Sequence, residues 1–137
     1  MLDRDGGLLR GTLDLLILKS LSWGPRHGYA VAEWIKSITD DELLVVDGPL
    51  YTALHRLEKQ GWVTAEWGLS DNNRRAKYYE LSSSGRRQLR VETTSWDRYA
   101  RAVAKALVAA GPATAQPTDA PRLSSRSRSG PRRTRRR

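Results

Sequence analysis

The chain contains no cysteine and only two histidines among its 137 residues. The absence of cysteine excludes disulfides, thiolate metal ligands and cysteine nucleophiles, and it is typical of proteins from a reducing compartment. The two histidines, His27 and His55, are not placed at ligand spacing, so we expect no metal site. The sequence therefore offers little of the chemistry that an enzyme uses.

Long apolar runs are also absent. The longest, over residues 15–18, is far shorter than the ~20 residues that span a bilayer. The first five residues, MLDRD, contain neither the cationic nor the apolar region of a signal peptide. We therefore expect a cytoplasmic protein with no membrane partner.

Patterns that bind cofactors or perform catalysis are missing too. The glycines form neither the phosphate-binding loop nor the dinucleotide-binding pattern. The acids of residues 39–47 crowd one polar segment, whereas a general acid and base need an apolar pocket to separate their pKa values. We expect a protein that is not an enzyme and needs no cofactor.

The positive charge of the chain is concentrated at one end. The formal net charge is +9, but residues 112–137 hold eight arginines and one acid, which leaves a net charge of +2 for residues 1–111. The Pro, Ser, Thr and Arg content predicts a disordered Arg-rich tail over 111–137. This tail is either a basic arm that adds non-specific DNA affinity or a solvated extension without a role of its own.

Hydrophobic periodicity predicts two helices in the first part of the chain. The first is Leu-rich, covers residues 8–22 and ends at Trp23-Gly24-Pro25. The second covers residues 27–38, and His27 at its start is expected to have a local structural role. Residues 39–47 are predicted to form a turn or a short strand.

A third helix, a hairpin and a last helix follow. Asp47-Gly48-Pro49 predicts a helix start with Asp47 as the cap, and the helix runs to about Gln60 before Gly61. Two segments with strand patterns, 62–67 and 77–81, flank a polar turn over 68–76, and the last helix runs from 82–85 to about residue 110. This order predicts a mostly α, α+β fold, namely a winged helix-turn-helix domain over 1–82 with a long C-terminal dimerisation helix over 83–110.

The third helix has one apolar face and one face without carboxylates. The apolar positions are Leu50, Ala53, Leu54 and Leu57. The opposite face carries Thr52, His55, Arg56 and Lys59, and Tyr51 lies near the helix start. These side chains can donate to base edges or phosphate oxygens in a major groove, although any surface helix has a polar face.

The hairpin turn concentrates cations. The candidate contact residues there are Asn72, Asn73, Arg74, Arg75 and Lys77, with only Asp71 opposing them. A wing that lies along a phosphate backbone uses such cations, while the alternative is a solubilising turn. The helix face and the turn together predict binding to double-stranded DNA. The competing hypothesis is a winged-helix interaction module whose basic face binds an acidic protein.

The last helix carries a heptad-like seam that predicts a homodimer. Its residues, spaced by 4, 3, 4, 3 and 4, are Leu89, Thr93, Trp96, Ala100, Val103 and Leu107. The alternative is that the seam folds back on its own domain. Trp96 either packs on the partner helix or stacks on a planar effector between subunits. A dimer would place two recognition helices about one helical turn apart on a palindrome-like site.

Three segments carry a resemblance to the PadR family of bacterial transcriptional regulators. They are LLRGTLDLLILKSLSWGPRHGYAVAEWI, GPLYTALHRLEKQGWVTAEWG and NNRRAKYYELSSSGRRQL, and the resemblance extends from Leu9 to about Leu107. It implies a homodimeric winged-helix DNA-binding protein, usually a repressor, whose C-terminal helix forms the dimer. It also implies a response to small molecules, in several cases aromatic ones bound at or near the dimer interface.

The resemblance places the recognition helix at Tyr51–Lys59 and the wing at Asn72–Lys77. This chain departs from the family pattern at two positions of the helix. Pro49 stands where the family commonly has Ser or Thr, which removes a hydroxyl able to touch phosphate, and Thr52 stands where proline is common. The Arg-rich tail has no counterpart in the family pattern.

Overall fold

The computed structural model describes residues 10–112, so the predicted tail lies outside the described residues from position 113 onward. The described range contains four helices and three strands, which confirms the predicted mostly helical α+β class. In chain order they are α1 (Arg10–Ser20), β1 (Arg26–His27), α2 (Gly28–Ile38), α3 (Asp47–Lys59), β2 (Val63–Leu69), β3 (Arg75–Leu81) and α4 (Ser83–Leu107).

The hydrophobic core lies between α1, α2, α3 and one face of the sheet. The four apolar residues predicted for one face of α3 are all buried there, as are Ile17 and Leu18 of α1 and Ile35 of α2. A fully buried Leu or Ile side chain contributes about 1.5–3 kcal/mol relative to its exposed state. This burial fixes α3 on the domain and leaves its opposite side facing outward.

The compact part of the chain extends to Ala100. The remaining described residues, 101–112, contain the last turns of α4, and their side chains are exposed.

The start of α3 differs from the prediction. The helix begins at Asp47, its N-cap is Val46, and no side chain caps it, so the prediction of Asp47 as the cap is wrong. Asp47 instead lies in the first turn, where a carboxylate is stabilised by the helix dipole. Pro49 lies in the same turn, as predicted, where its missing N–H costs no helical hydrogen bond.

The sheet contains one strand that the sequence did not predict. The strand order is β1-β3-β2, all antiparallel, and β1 consists of only Arg26 and His27. The same His27 caps α2, because its Nδ1 accepts a hydrogen bond from the backbone N–H of Ala30 at 3.2 Å. This confirms the local structural role expected of His27. Residues 39–46 contain a turn and no strand, with Asp40 and Asp41 at positive φ, and Asp47 already belongs to α3.

Small residues shape the connections from α3 to β2 and from β3 to α4. Gly61 ends α3 with φ +79°, a conformation that favours glycine, as predicted. The Ser82 hydroxyl accepts from the N–H of Gly85 and so caps α4. Gly85 lies so close to the Trp62 carbonyl that a Cβ there would come within 1.9 Å of its oxygen. These contacts pack the first turn of α4 against residues 61–62, which connect α3 to β2.

Candidate functional site

The outward face of α3 presents three of its four predicted contact residues to solvent. Thr52, His55 and Lys59 are exposed, and Tyr51 is partly exposed near the helix start. A helix that is anchored on its apolar side and carries donors on the other has the form of an element that enters a DNA groove.

Arg56, the fourth residue of that predicted face, lies differently. Its guanidinium forms an ion pair and a hydrogen bond with Asp14 of α1, and both side chains are partly buried. No sequence pattern indicated this pairing, because residues 42 positions apart in the chain meet only through the packing of α1 on α3. Arg56 therefore contacts α1 of its own domain.

The alternation of the hairpin strands gives its two faces opposite charge. Val63, Tyr79 and Leu81 belong to one face and are buried against the core. The same alternation continues along that face, past the core, to Trp67, Leu69, Arg75 and Lys77. Glu66 and Glu80 lie on the other face. The cations of the strands are therefore on the face that turns towards the helices.

The turn that joins β2 and β3 is organised by Ser70. Its hydroxyl donates to the Asn72 side-chain oxygen at 2.6 Å and accepts from the Arg74 N–H at 3.3 Å. Asn73 adopts φ +65°, a left-handed conformation that asparagine tolerates better than most residues. Asn72 and Asn73 shape the turn, and both are exposed, as is Arg74, so the DNA contacts predicted for these residues stay predictions.

Two cations of the inner hairpin face have partners. The Lys77 ammonium lies 3.6 Å from the Glu58 carboxylate of α3 and 5.7 Å from the centre of the Tyr79 ring. The Arg75 guanidinium lies 4.8 Å from the centre of the Trp67 ring. Lys77 therefore joins the hairpin to α3, while Arg75 and Arg74 remain exposed beyond the core.

An open cleft of about 900 Å³ brings the helix and the hairpin together. Tyr51 of α3 and the start of α2 line one side, and Trp67, Arg74 and Arg75 line the other. The cleft thus combines two arginines, the Trp67 indole and the Tyr51 phenol with two carboxylates, those of Glu33 and Asp71. Arginine and tyrosine are among the side chains that contact a sugar–phosphate backbone.

The position of Tyr51 depends on a glycine. Its ring lies over Gly28, where a Cβ would come within 2.6 Å of the phenol oxygen. Burial, and secondly the nearby Asp47 carboxylate, raise the pKa of Tyr51 above its ordinary value. A phenol is protonated at neutral pH with or without this rise, so that of Tyr51 can donate to a phosphate oxygen.

The seam predicted along α4 is largely exposed. Trp96 is 41% exposed and its ring lies 5.9 Å from that of Tyr99. Val103 and Leu107 are exposed as well. Leu89, by contrast, packs partly against the core of its own chain. The seam is thus an apolar surface from about Trp96 onward.

Sequence reasoning missed two parts of this site. The start of α2, with Gly28 and Tyr29, lines the cleft although no pattern pointed to it. Trp67 lies beside Arg75, and the alternation of Val63, Ala65 and Trp67 was the signal that could have placed it on the inner face. Within residues 10–112, no group of three or more His, Asp or Glu side chains is placed to hold a metal ion. The helices described here are also not long and apolar enough to cross a membrane.

Comparison with known proteins gives consistent results. The model of the transcriptional regulator PadR-like family matches residues 17–91. An uncharacterized protein from Lysinibacillus sphaericus is 32% identical over 90 residues, which are 65% of this chain and 82% of that protein.

Solved structures are similar over most of the described chain. A PadR family transcriptional regulator from Eggerthella lenta is 34% identical with a TM-score of 0.60, and the match covers 72% of this chain and 84% of that one. A transcriptional regulator from Clostridium thermocellum is 28% identical with a TM-score of 0.64, covering 70% and 93%. A PadR-like transcriptional regulator from Bacillus cereus is 25% identical with a TM-score of 0.64, covering 74% and 96%.

Proposed function

The chain belongs to the PadR-like family of transcriptional regulators, and on this premise we propose that it is a repressor that binds an inverted-repeat operator as a homodimer. The family assignment confirms the resemblance found in the sequence and supports DNA-binding regulation as the function. Repression, the symmetry of the operator and the dimer are parts of the proposal.

The observation that carries the proposal is the shared cleft of α3 and the hairpin. Tyr51 lies at the start of the helix whose exposed face carries Thr52 and His55, and it lines the same cleft as Arg74 and Arg75. We therefore assign base contacts to the α3 face and backbone contacts to the hairpin, which acts as the wing. Phosphate contacts of this kind fix the register of the helix in the groove.

The homodimer is supported by the exposed apolar surface of α4. Trp96, Tyr99 and Val103 are large side chains with much of their surface in solvent. Burying them against the same surface of a second chain gives an isologous, two-fold contact. Two-fold symmetry in the protein is matched by an inverted repeat in the DNA.

We further propose a small aromatic effector that contacts Trp96 and releases the protein from DNA. The indole of Trp96 is 41% exposed and lies beside Tyr99, so a planar ligand held between two subunits would meet two aromatic rings from each.

Selection of bound sequences from random duplex DNA tests the proposed function. We expect an enriched inverted repeat, with half-sites about one helical turn apart, and binding that weakens steeply with salt. The same selection with the His55→Ala variant should relax the preference at one position in each half-site. Enrichment of no sequence, with no binding to duplex DNA at low salt, would contradict the proposal and favour the protein-interaction module.

A further inference from the structure

We propose that Trp67 is a positioning residue that holds the Arg75 guanidinium in place for contact with the DNA backbone. The inference rests on the proposed function, and it adds a residue that carries no charge and forms no part of the predicted contact set. Trp67 is 58% exposed and lies on the wall of the cleft together with Arg75.

The pairing of Trp67 with Arg75 follows from the register of the hairpin. Trp67 pairs with Lys77, and Arg75 is two residues from Lys77 on the same strand. Diagonal neighbours of this kind share one face of an antiparallel sheet and are within reach of long side chains. The guanidinium accordingly lies 4.8 Å from the centre of the indole ring.

A neighbouring side chain can hold an exposed arginine in the conformation that binds a ligand. Arg75 lies beyond the core and is exposed, and a free arginine side chain loses much rotamer entropy when it is fixed on a ligand. Lys77, one step closer to the core, is held by Glu58 and the Tyr79 ring. Trp67 does the same for Arg75, because the π face attracts the planar cation and leaves its edge N–H groups free to donate.

A double-mutant cycle on binding to a labelled DNA duplex of mixed sequence at low salt tests the inference. We expect Trp67→Ala to weaken binding about two- to five-fold, as an exposed cation–π contact would. In the Arg75→Ala background the same change should have no further effect, because its action passes through Arg75. Trp67→Phe should restore most of the affinity, and Trp67→Leu, which keeps an apolar side chain without a π face, should not.

The matched control is Trp23→Ala. Trp23 is 63% exposed and its ring lies 4.8 Å from the Lys19 ammonium, but it does not line the cleft, so its removal should leave DNA binding unchanged. Thermal unfolding identifies variants that lose the fold, and Trp67→Leu replaces Trp67→Ala in the cycle if the latter unfolds.

The outcomes separate the two proposals. Losses from Trp67 and Arg75 that simply add would mean that Trp67 touches DNA or only supports the hairpin, and would overturn the inference while leaving the proposed function intact. Full affinity in Trp67→Leu would overturn it as well. A wild-type protein that binds no duplex would overturn the proposed function and, with it, this inference.

Discussion

Arg56 and His55 are adjacent on α3, yet the structure gives them different surroundings. His55 is exposed, whereas Arg56 is partly buried and paired with Asp14. A charge-assisted hydrogen bond between two helices stabilises their packing by more than a pair in full solvent does. We therefore propose that Arg56 orients α3 on α1 and that His55 reads the DNA.

Unfolding in urea distinguishes these two roles. Arg56→Ala should lower the free energy of unfolding by about 1–2 kcal/mol, because it removes the charged hydrogen bond between the helices. His55→Ala, at an exposed position, should change it by less than about 0.5 kcal/mol. Combining Arg56→Ala with Asp14→Asn should cost less than the sum of the two changes. Equal free energies of unfolding for Arg56→Ala and His55→Ala would contradict a stabilising role for Arg56.

Tyr79 makes stability sensitive to alkaline pH. Its burial, and then the negative charges of the Glu58 carboxylate and of the ionised Tyr51 phenol, raise the pKa of Tyr79 above its ordinary value. The folded state therefore disfavours the phenolate. The stabilisation is complete below the pKa of the unfolded chain, about 10, and is lost as the pH rises through the higher pKa of the folded state.

We expect the free energy of unfolding, followed through that alkaline window, to fall with pH in the wild-type protein. Tyr79→Phe removes one of the ionising groups, so its stability should fall less steeply over the same window. If the free energy of unfolding fell equally steeply with pH in both proteins, Tyr79 would not contribute to the alkaline loss of stability.

At the level of elements, periodicity determined most of what could be predicted. The apolar face of α3 and the alternation of β2 follow from burial on one side, and both are confirmed. The strand β1 could not be predicted, because its two residues form a strand only where β3 passes beside them. The pairing of Arg56 with Asp14 and the contact of Tyr51 with Gly28 likewise depend on packing between distant segments.

The wing should act on all DNA sequences alike. Arg74 is exposed at the hairpin turn and lines the cleft, so we propose a phosphate contact for it. Arg74→Gln should weaken binding to every duplex by a similar factor and reduce the slope of log affinity against log salt by about one.

The control for charge alone is Arg90→Gln, which removes an exposed arginine from α4. Its salt slope should match that of the wild-type protein. A change of sequence preference in Arg74→Gln, or the same loss of slope in both variants, would contradict a backbone contact by the wing.

At the scale of the whole molecule, net charge is a poor guide to the DNA-binding function. Residues 1–111 carry only +2 of the +9 charges. What supports DNA binding is the placement of a few cations on the inner face and turn of the hairpin, beside the exposed face of α3.

The proposed dimerisation through α4 predicts that a charge introduced into the seam weakens the dimer. Trp96→Glu should weaken a dimer by roughly a hundredfold or more, since an unpaired carboxylate buried at an interface costs about 3 kcal/mol. Val91→Glu is the matched control, because Val91 is exposed on the same helix but lies outside the seam. Sedimentation at micromolar concentration measures both. A monomeric wild-type protein, or dissociation by Val91→Glu alone, would contradict the proposed interface.

The opposite charge of the two hairpin faces has a consequence for the approach to DNA. Arg75 and Lys77 lie on the inner face, and Glu66 and Glu80 lie on the outer one. In the field of a polyanion, such a dipolar hairpin experiences a torque that turns its inner face forward. We expect this torque to favour encounters in which the inner face leads, and so to raise the fraction of collisions that can proceed to DNA binding.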